Sequence, residues 1–163
     1  MSIRCIRRPK SRKGPCKGSG RFVHLSKRIV PWRLPRGNSR EDIKARRQII
    51  KDFYAAWIAE HPDKKVYNKS LKANIHVKFL SINEALGHAP RSYEATLAQT
   101  HLSEILAEAV LFEKRPPKYG DKNQKSFSKM CFLRWNTSRL LVGLQRTSGE
   151  YVLYYISGGP TKK

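Results

Sequence analysis

Acidic residues are scarce in this sequence. Aspartate and glutamate number 12 against 34 lysines and arginines in 163 residues, and none occurs before Glu41. Nucleases that work through two metal ions hold them with clustered carboxylates, and such clusters are missing here. Glu94, Glu104, Glu108 and Glu113 read instead as the solvated face of one helix. Cysteine is almost absent as well. Cys5, Cys16 and Cys131 form an odd set without a C-x-x-C pair, which argues against a disulfide scaffold and against structural zinc. So few thiols suit a reducing compartment, and a cytoplasmic location is expected. No apolar run approaches the ~18 residues of a membrane span. Met1 to Lys10 is basic with no apolar stretch behind it, so no secretory signal is expected. Gly14 to Gly20 is glycine-rich around Lys17 but lacks the G-x-x-x-x-G-K order of a phosphate loop. No metal and no cofactor is expected.

What the chain has in surplus is positive charge, a formal +22. Self-repulsion of that size opposes folding, and a bound polyanion relieves it. Nucleic acid is the expected partner, because neutralising phosphates releases condensed counterions. A membrane partner is not expected, since it needs an amphipathic basic helix or a lipid anchor.

The length suits one domain. Residues 1–38 are rich in arginine, lysine, proline and glycine, and read as a flexible basic arm. Arg7, Arg8, Arg12 and Lys13 are its candidate phosphate contacts, although a plain basic tail would look the same. Residues 39–157 form the expected domain, and 158–163 a tail.

Ser39, with Asp42 three residues on, is a helix cap. Ile43, Ile50, Phe53, Tyr54, Trp57 and Ile58 make an apolar stripe to about Glu60, where His61-Pro62 stops the helix. Ile75, Val77 and Phe79 alternate with Asn74, His76 and Lys78, the pattern of a half-buried strand. Ser81 to Leu86 suits a short helical turn, and Gly87-His88-Ala89-Pro90 a break. A second helix is expected from Ser92 to about Phe112, ended by Pro116-Pro117, with a polar loop over 114–125. Phe127 to Trp135, Arg139 to Arg146 and Glu150 to Ile156 read as an antiparallel meander. The fold class is therefore α+β: a small antiparallel sheet, made of that meander and one earlier strand, packed by two helices.

Cleaving RNA without metal needs a base, an acid and cations, because the 2′-hydroxyl supplies the nucleophile. His76 and Lys78 share the polar face of the first strand. His88 lies in the break, and His101 inside the second helix. Arg134, Arg139 and Arg146 lie on or beside the meander, with Tyr154 and Tyr155 on its last strand. Each also has a plain structural reading: a surface strand residue, a turn former, a partly buried helix residue, solvent-facing arginines or ordinary strand tyrosines.

Two segments carry a resemblance. They are IHVKFLSINEALGHAPRSYEATLAQTHLSEILAEAV, from residue 75, and FSKMCFLRWNTSRLLVGLQRTSGEYVLYYIS, from residue 127. A strand, an S-x-x-E-x-x-x-H run, an apolar-periodic helix and an aromatic-ended meander together resemble the barnase–EndoU–colicin–RelE nuclease superfamily. They are similar above all to its phage- and mobile-element-associated domains carried in large polyvalent proteins. The resemblance implies metal-independent endoribonuclease activity in a toxin or mobile-element setting, with an acidic antitoxin or immunity protein as a possible partner. It maps onto Ser81, Glu84, His88 and Lys78, with Arg134 and Tyr154 as weaker matches. On this expectation His88 is the general acid or base, Lys78 and Arg134 are transition-state cations, and Tyr154 positions a base or phosphate. His76, Arg139, Arg146 and Tyr155 would contact nucleic acid. The rival expectations are a non-catalytic nucleic-acid-binding protein and a structural or antitoxin-like partner of another mobile-element protein.

Overall fold

The computed structural model describes residues 34–158. The arm residues Arg7, Arg8, Arg12 and Lys13 lie outside these, as does the tail beyond Gly158. The chain runs α1 (Arg40–Glu60), β1 (Lys65–Asn68), β2 (Ala73–His76), α2 (Phe79–His88), α3 (Tyr93–Thr100), α4 (Leu102–Glu108), β3 (Val110–Arg115), β4 (Phe127–Trp135), β5 (Ser138–Gln145) and β6 (Tyr151–Ser157). The α+β class holds.

The sheet is larger than expected, and it is mixed. Its order is β1-β2-β6-β5-β4-β3. The meander β4-β5-β6 is antiparallel as read, but β2 lies parallel to β6 through Ile75–Tyr151 and His76–Val152. Two strands escaped the sequence pattern. β1 is only four residues long, too short for an alternation to stand out. β3 begins where the sequence pattern predicts the last turn of a long helix. Instead the helix breaks at His101 and stops at Glu108. Thr96 and Thr100 turn their hydroxyls back onto the carbonyls of Ser92 and Leu97, which competes with regular helix. Val110-Leu111-Phe112 then favours a strand and finds β4 as its partner.

The expected strand over residues 74–79 also ends early. Lys78 is not a strand residue but the cap of α2, where its backbone N–H donates to Ser81 Oγ at 3.2 Å. Ser81 in turn donates to the Leu153 carbonyl. α2 therefore takes the place beside β6 that β2 vacates, and it is a ten-residue helix rather than a short turn.

α1 matches its expected cap and end. Ser39 Oγ accepts from the Asp42 N–H, and the Asp42 carboxylate accepts from the Ser39 N–H. Its stripe buries Ile50, Phe53, Tyr54 and Trp57 against Leu102, Ile105 and Leu106 of α4 and the strand residues Ile75, Leu133, Leu140, Val142 and Leu153. The main core thus lies on one face of the sheet. The other face carries a small second cluster of Phe127, Met130, Leu141, Val152 and Tyr154, against which Leu80 of α2 packs while Asn123 and Gln124 reach Tyr154. Away from this cluster the same side leaves Phe112, Phe132, Arg134, Arg139 and Tyr155 exposed or half-buried, and this part is the open face.

Candidate nucleic-acid interface

Strand alternation decides what reaches the open face. Cys131 and Leu133 point into the main core, so Phe132 and Arg134 point the other way. Two β-bulges add aromatic rings to this face. In β3 the register shifts between Leu111 and Glu113, leaving Phe112 as the extra residue. Its ring lies 6.2 Å from that of Phe132, with the Arg134 guanidinium 5.2 Å over it. In β6 Leu141 faces Tyr155 while Val142 faces Leu153, so Tyr154 is the extra residue. The Tyr154 and Tyr155 rings lie 6.0 Å apart, edge to face.

Beside the β6 bulge runs a groove of about 480 Å³, lined by Glu84, His88, Ser92, Tyr154, Tyr155 and Ser157 among others. His88 is the last residue of α2 rather than part of a loop, and its side chain is 72% exposed. Its Nε2 lies 3.5 Å from Glu84 Oε2, one helical turn back. Burial raises the Tyr154 pKa, with Asp121 and Glu84 adding to the shift, so this phenol stays a neutral donor at pH 7. Arg134 and Arg139 are cross-strand neighbours, and Arg139 faces Ser157 at the groove's edge. His88, Tyr154, Tyr155, Arg134 and Arg139 therefore border one surface.

Lys78 and His76 belong to a different place. Lys78 Nζ donates to Glu150 Oε2 at 3.0 Å and to Gln145 Oε1 at 2.7 Å. His76 Nε2 lies 3.6 Å from Glu150 Oε1. Its side chain is 13% exposed. Lys78 holds the Glu150 carboxyl below its usual range, chiefly through this hydrogen bond. The whole length of α2, about 15 Å at 1.5 Å per residue, separates this cluster from His88. His101 lies elsewhere again. It joins α3 to α4, its Nδ1 is 3.1 Å from Glu104, and it lines a cleft shared with His61. The three histidines do not converge. Arg146 is used as a brace, with its Nε donating to the Phe127 carbonyl at 2.8 Å. Ser81, the first residue of the quoted motif, is likewise an anchor, buried and bonded to β6.

Glu150 is a site residue that the sequence pattern does not single out. It follows the Ser148-Gly149 turn and is 72 residues from Lys78, so no local signal marked it. A pH effect arises from the cluster it forms. Burial lowers the His76 pKa from its ordinary 6.5; Glu150 opposes the shift, and Lys65 and Lys78 reinforce it. The unfolded chain thus takes up a proton near pH 6.5 that the folded protein resists, and acidification through that value lowers stability. We expect the urea midpoint to fall between pH 7 and pH 5 more steeply in the wild type than in His76→Asn. Equal slopes in the two proteins would refute this.

Among the described residues, no group of three or more His, Cys, Asp or Glu side chains is placed to hold a metal ion, and no helix is long and apolar enough to cross a membrane.

Residues 42–131 match the sequence model of a family described as large polyvalent protein-associated domain 3. The match spans 90 of 163 residues, from α1 into β4, and includes Lys78, Glu84 and His88 but not β5 or β6. No curated protein and no solved structure matches the chain.

Proposed function

The chain belongs to the large polyvalent protein-associated domain 3 family, and from that premise we propose that it is an RNA-binding protein of a mobile element. The observation that carries this reading is charge. Pairing every one of the 12 carboxylates with a cation leaves 34 − 12 = 22 lysines and arginines in excess. A phosphate chain is the partner that neutralises such a surplus with a gain in counterion entropy. The open sheet face supports the choice, because it sets Arg115, Arg134 and Arg139 among exposed or half-buried aromatic rings.

The test is fluorescence anisotropy with labelled RNA over a series of salt concentrations. About six phosphate contacts on a single strand give a slope of log K against log salt near −4, or roughly 300-fold weaker binding at 200 mM than at 50 mM. Absence of binding at low salt, or affinity indifferent to salt, would overturn the proposal. An acidic protein partner, such as an antitoxin or immunity protein, would compete with RNA for the same surface.

A second reading is metal-independent cleavage of the bound RNA, in a toxin-like role. It is favoured by the meeting of His88, Glu84 and Tyr154 in one groove. His88 then does the proton transfer, with Arg139 at the groove's edge and Arg134 beyond it as the cations. Lys78, engaged by Glu150 at the far end of α2, acts through phosphate binding rather than at the reacting atoms.

A further inference from the structure

The β3–β4 flank of the open face has a construction that charge alone does not require. Two arginines are each backed by a phenylalanine ring, Arg134 over Phe112 and Arg115 over Phe132, both at 5.2 Å from the ring centroid; Arg115 is also ion-paired with Glu113, which leaves Arg134 as the platform's main cation. The two rings are neighbours, 6.2 Å apart and tilted by 58°. Phe112 is 46% exposed, although burial would stabilise it. The bulge in β3 is what brings this extra ring onto the face. Tyr155, 37% exposed, extends the aromatic surface towards the groove. Arg139 lies between, since it pairs with Arg134 on one side and Ser157 on the other. From Arg134 to the groove is two strand spacings, about 10 Å.

We infer that this flank is a stacking platform for the unpaired bases of an RNA strand, which runs from the Phe112–Arg134 pair across Arg139 to the groove. The inference rests on the RNA-binding reading and narrows its ligand from RNA in general to single strands. A ring-backed guanidinium offers a flat surface to a base and N–H donors to a phosphate at its rim. Base faces are accessible only where the bases are unpaired, so a duplex cannot use the platform. Duplex binding would engage the arginine charges and leave the rings idle.

The experiment compares an unstructured 2′-O-methyl RNA of twelve nucleotides with a duplex of the same sequence, by anisotropy at fixed salt. The methylated ribose has no free nucleophile, so binding is read without cleavage. The wild type is expected to prefer the single strand at least tenfold. Phe112→Leu keeps an apolar side chain of similar size and removes the ring; it is expected to weaken single-strand binding about tenfold with an unchanged salt slope. Arg134→Ala is expected to weaken binding and to reduce the salt slope by about 0.7, the share of one phosphate. Arg134→Lys should restore the slope but not the affinity, because the planar group is lost. Equal affinity for duplex and single strand, or full affinity in Phe112→Leu, overturns the platform and leaves RNA binding standing. No association with either nucleic acid overturns both.

Discussion

Replacing Arg46 with alanine is expected to cost about 3–5 kcal/mol of folding stability, because a buried hydrogen-bond network is lost, and this is a large share of what a domain of this size has. Arg46 is fully buried on α1. Its Nε donates to the Pro90 carbonyl at 2.7 Å, and its Nη1 donates to the carbonyls of Pro35 and Gly37 at 2.8 and 2.6 Å. One side chain thus ties three stretches: the segment before α1, α1 itself and the turn between α2 and α3. Hydrogen bonds to a charged group contribute roughly 1.5–3 kcal/mol each, and their loss leaves carbonyls without donors where water enters poorly. Arg46→Lys should recover only part of the loss, since a single ammonium lacks the planar fork that spans three acceptors. The control is Arg47→Ala, an exposed neighbour that removes the same charge and should shift stability by no more than about 0.5 kcal/mol. Urea unfolding decides the matter. An Arg46→Ala protein within 1 kcal/mol of wild type, a threshold set by the usual mutational scatter, would contradict this account.

The second large effect concerns chemistry. If the bound RNA is cut, His88→Ala should slow cleavage by about 10²–10⁴-fold in the presence of excess chelator. Tyr154 is held neutral and cannot take a proton at pH 7. His76 and His101 lie on other surfaces, so His88 is the groove's histidine. Glu84, 3.5 Å away, is placed to orient the ring. Glu84→Gln, which keeps the shape of the side chain but loses its charge, should therefore lower the rate less than His88→Ala. Cleavage by His88→Ala at the wild-type rate would remove the groove from the mechanism. Intact RNA after long incubation with wild type would end the cleavage reading and leave the binding one.

Arg46 shows how far residue patterns carry. It falls four residues before Ile50 and seven before Phe53, on the very stripe that marks the buried face of α1. The period was legible, but a buried arginine needs acceptors, and those of its Nε and Nη1 come from Pro35, Gly37 and Pro90. No window around residue 46 contains Pro90. The helix expected over 92–112 failed for a related reason. Its alanines and leucines suit a helix, whereas Val110 to Arg115 gains more from pairing with β4, which begins twelve residues later. Of the expected site residues, His88, Tyr154, Tyr155, Arg134 and Arg139 border one surface, while Lys78 and His76 meet Glu150 elsewhere.

By itself the order of amino acids determined the α+β class, the first helix with its cap, the closing meander and the cationic surplus. Each of these is a property of near neighbours or of a simple sum. Only the tertiary structure decided the parallel pairing of β2 with β6, the capture of Lys78 by Glu150 and the two bulges that turn Phe112 and Tyr154 to the same side of the sheet. Such contacts join residues tens of positions apart, and which of them form depends on how all the elements compete for the same buried face.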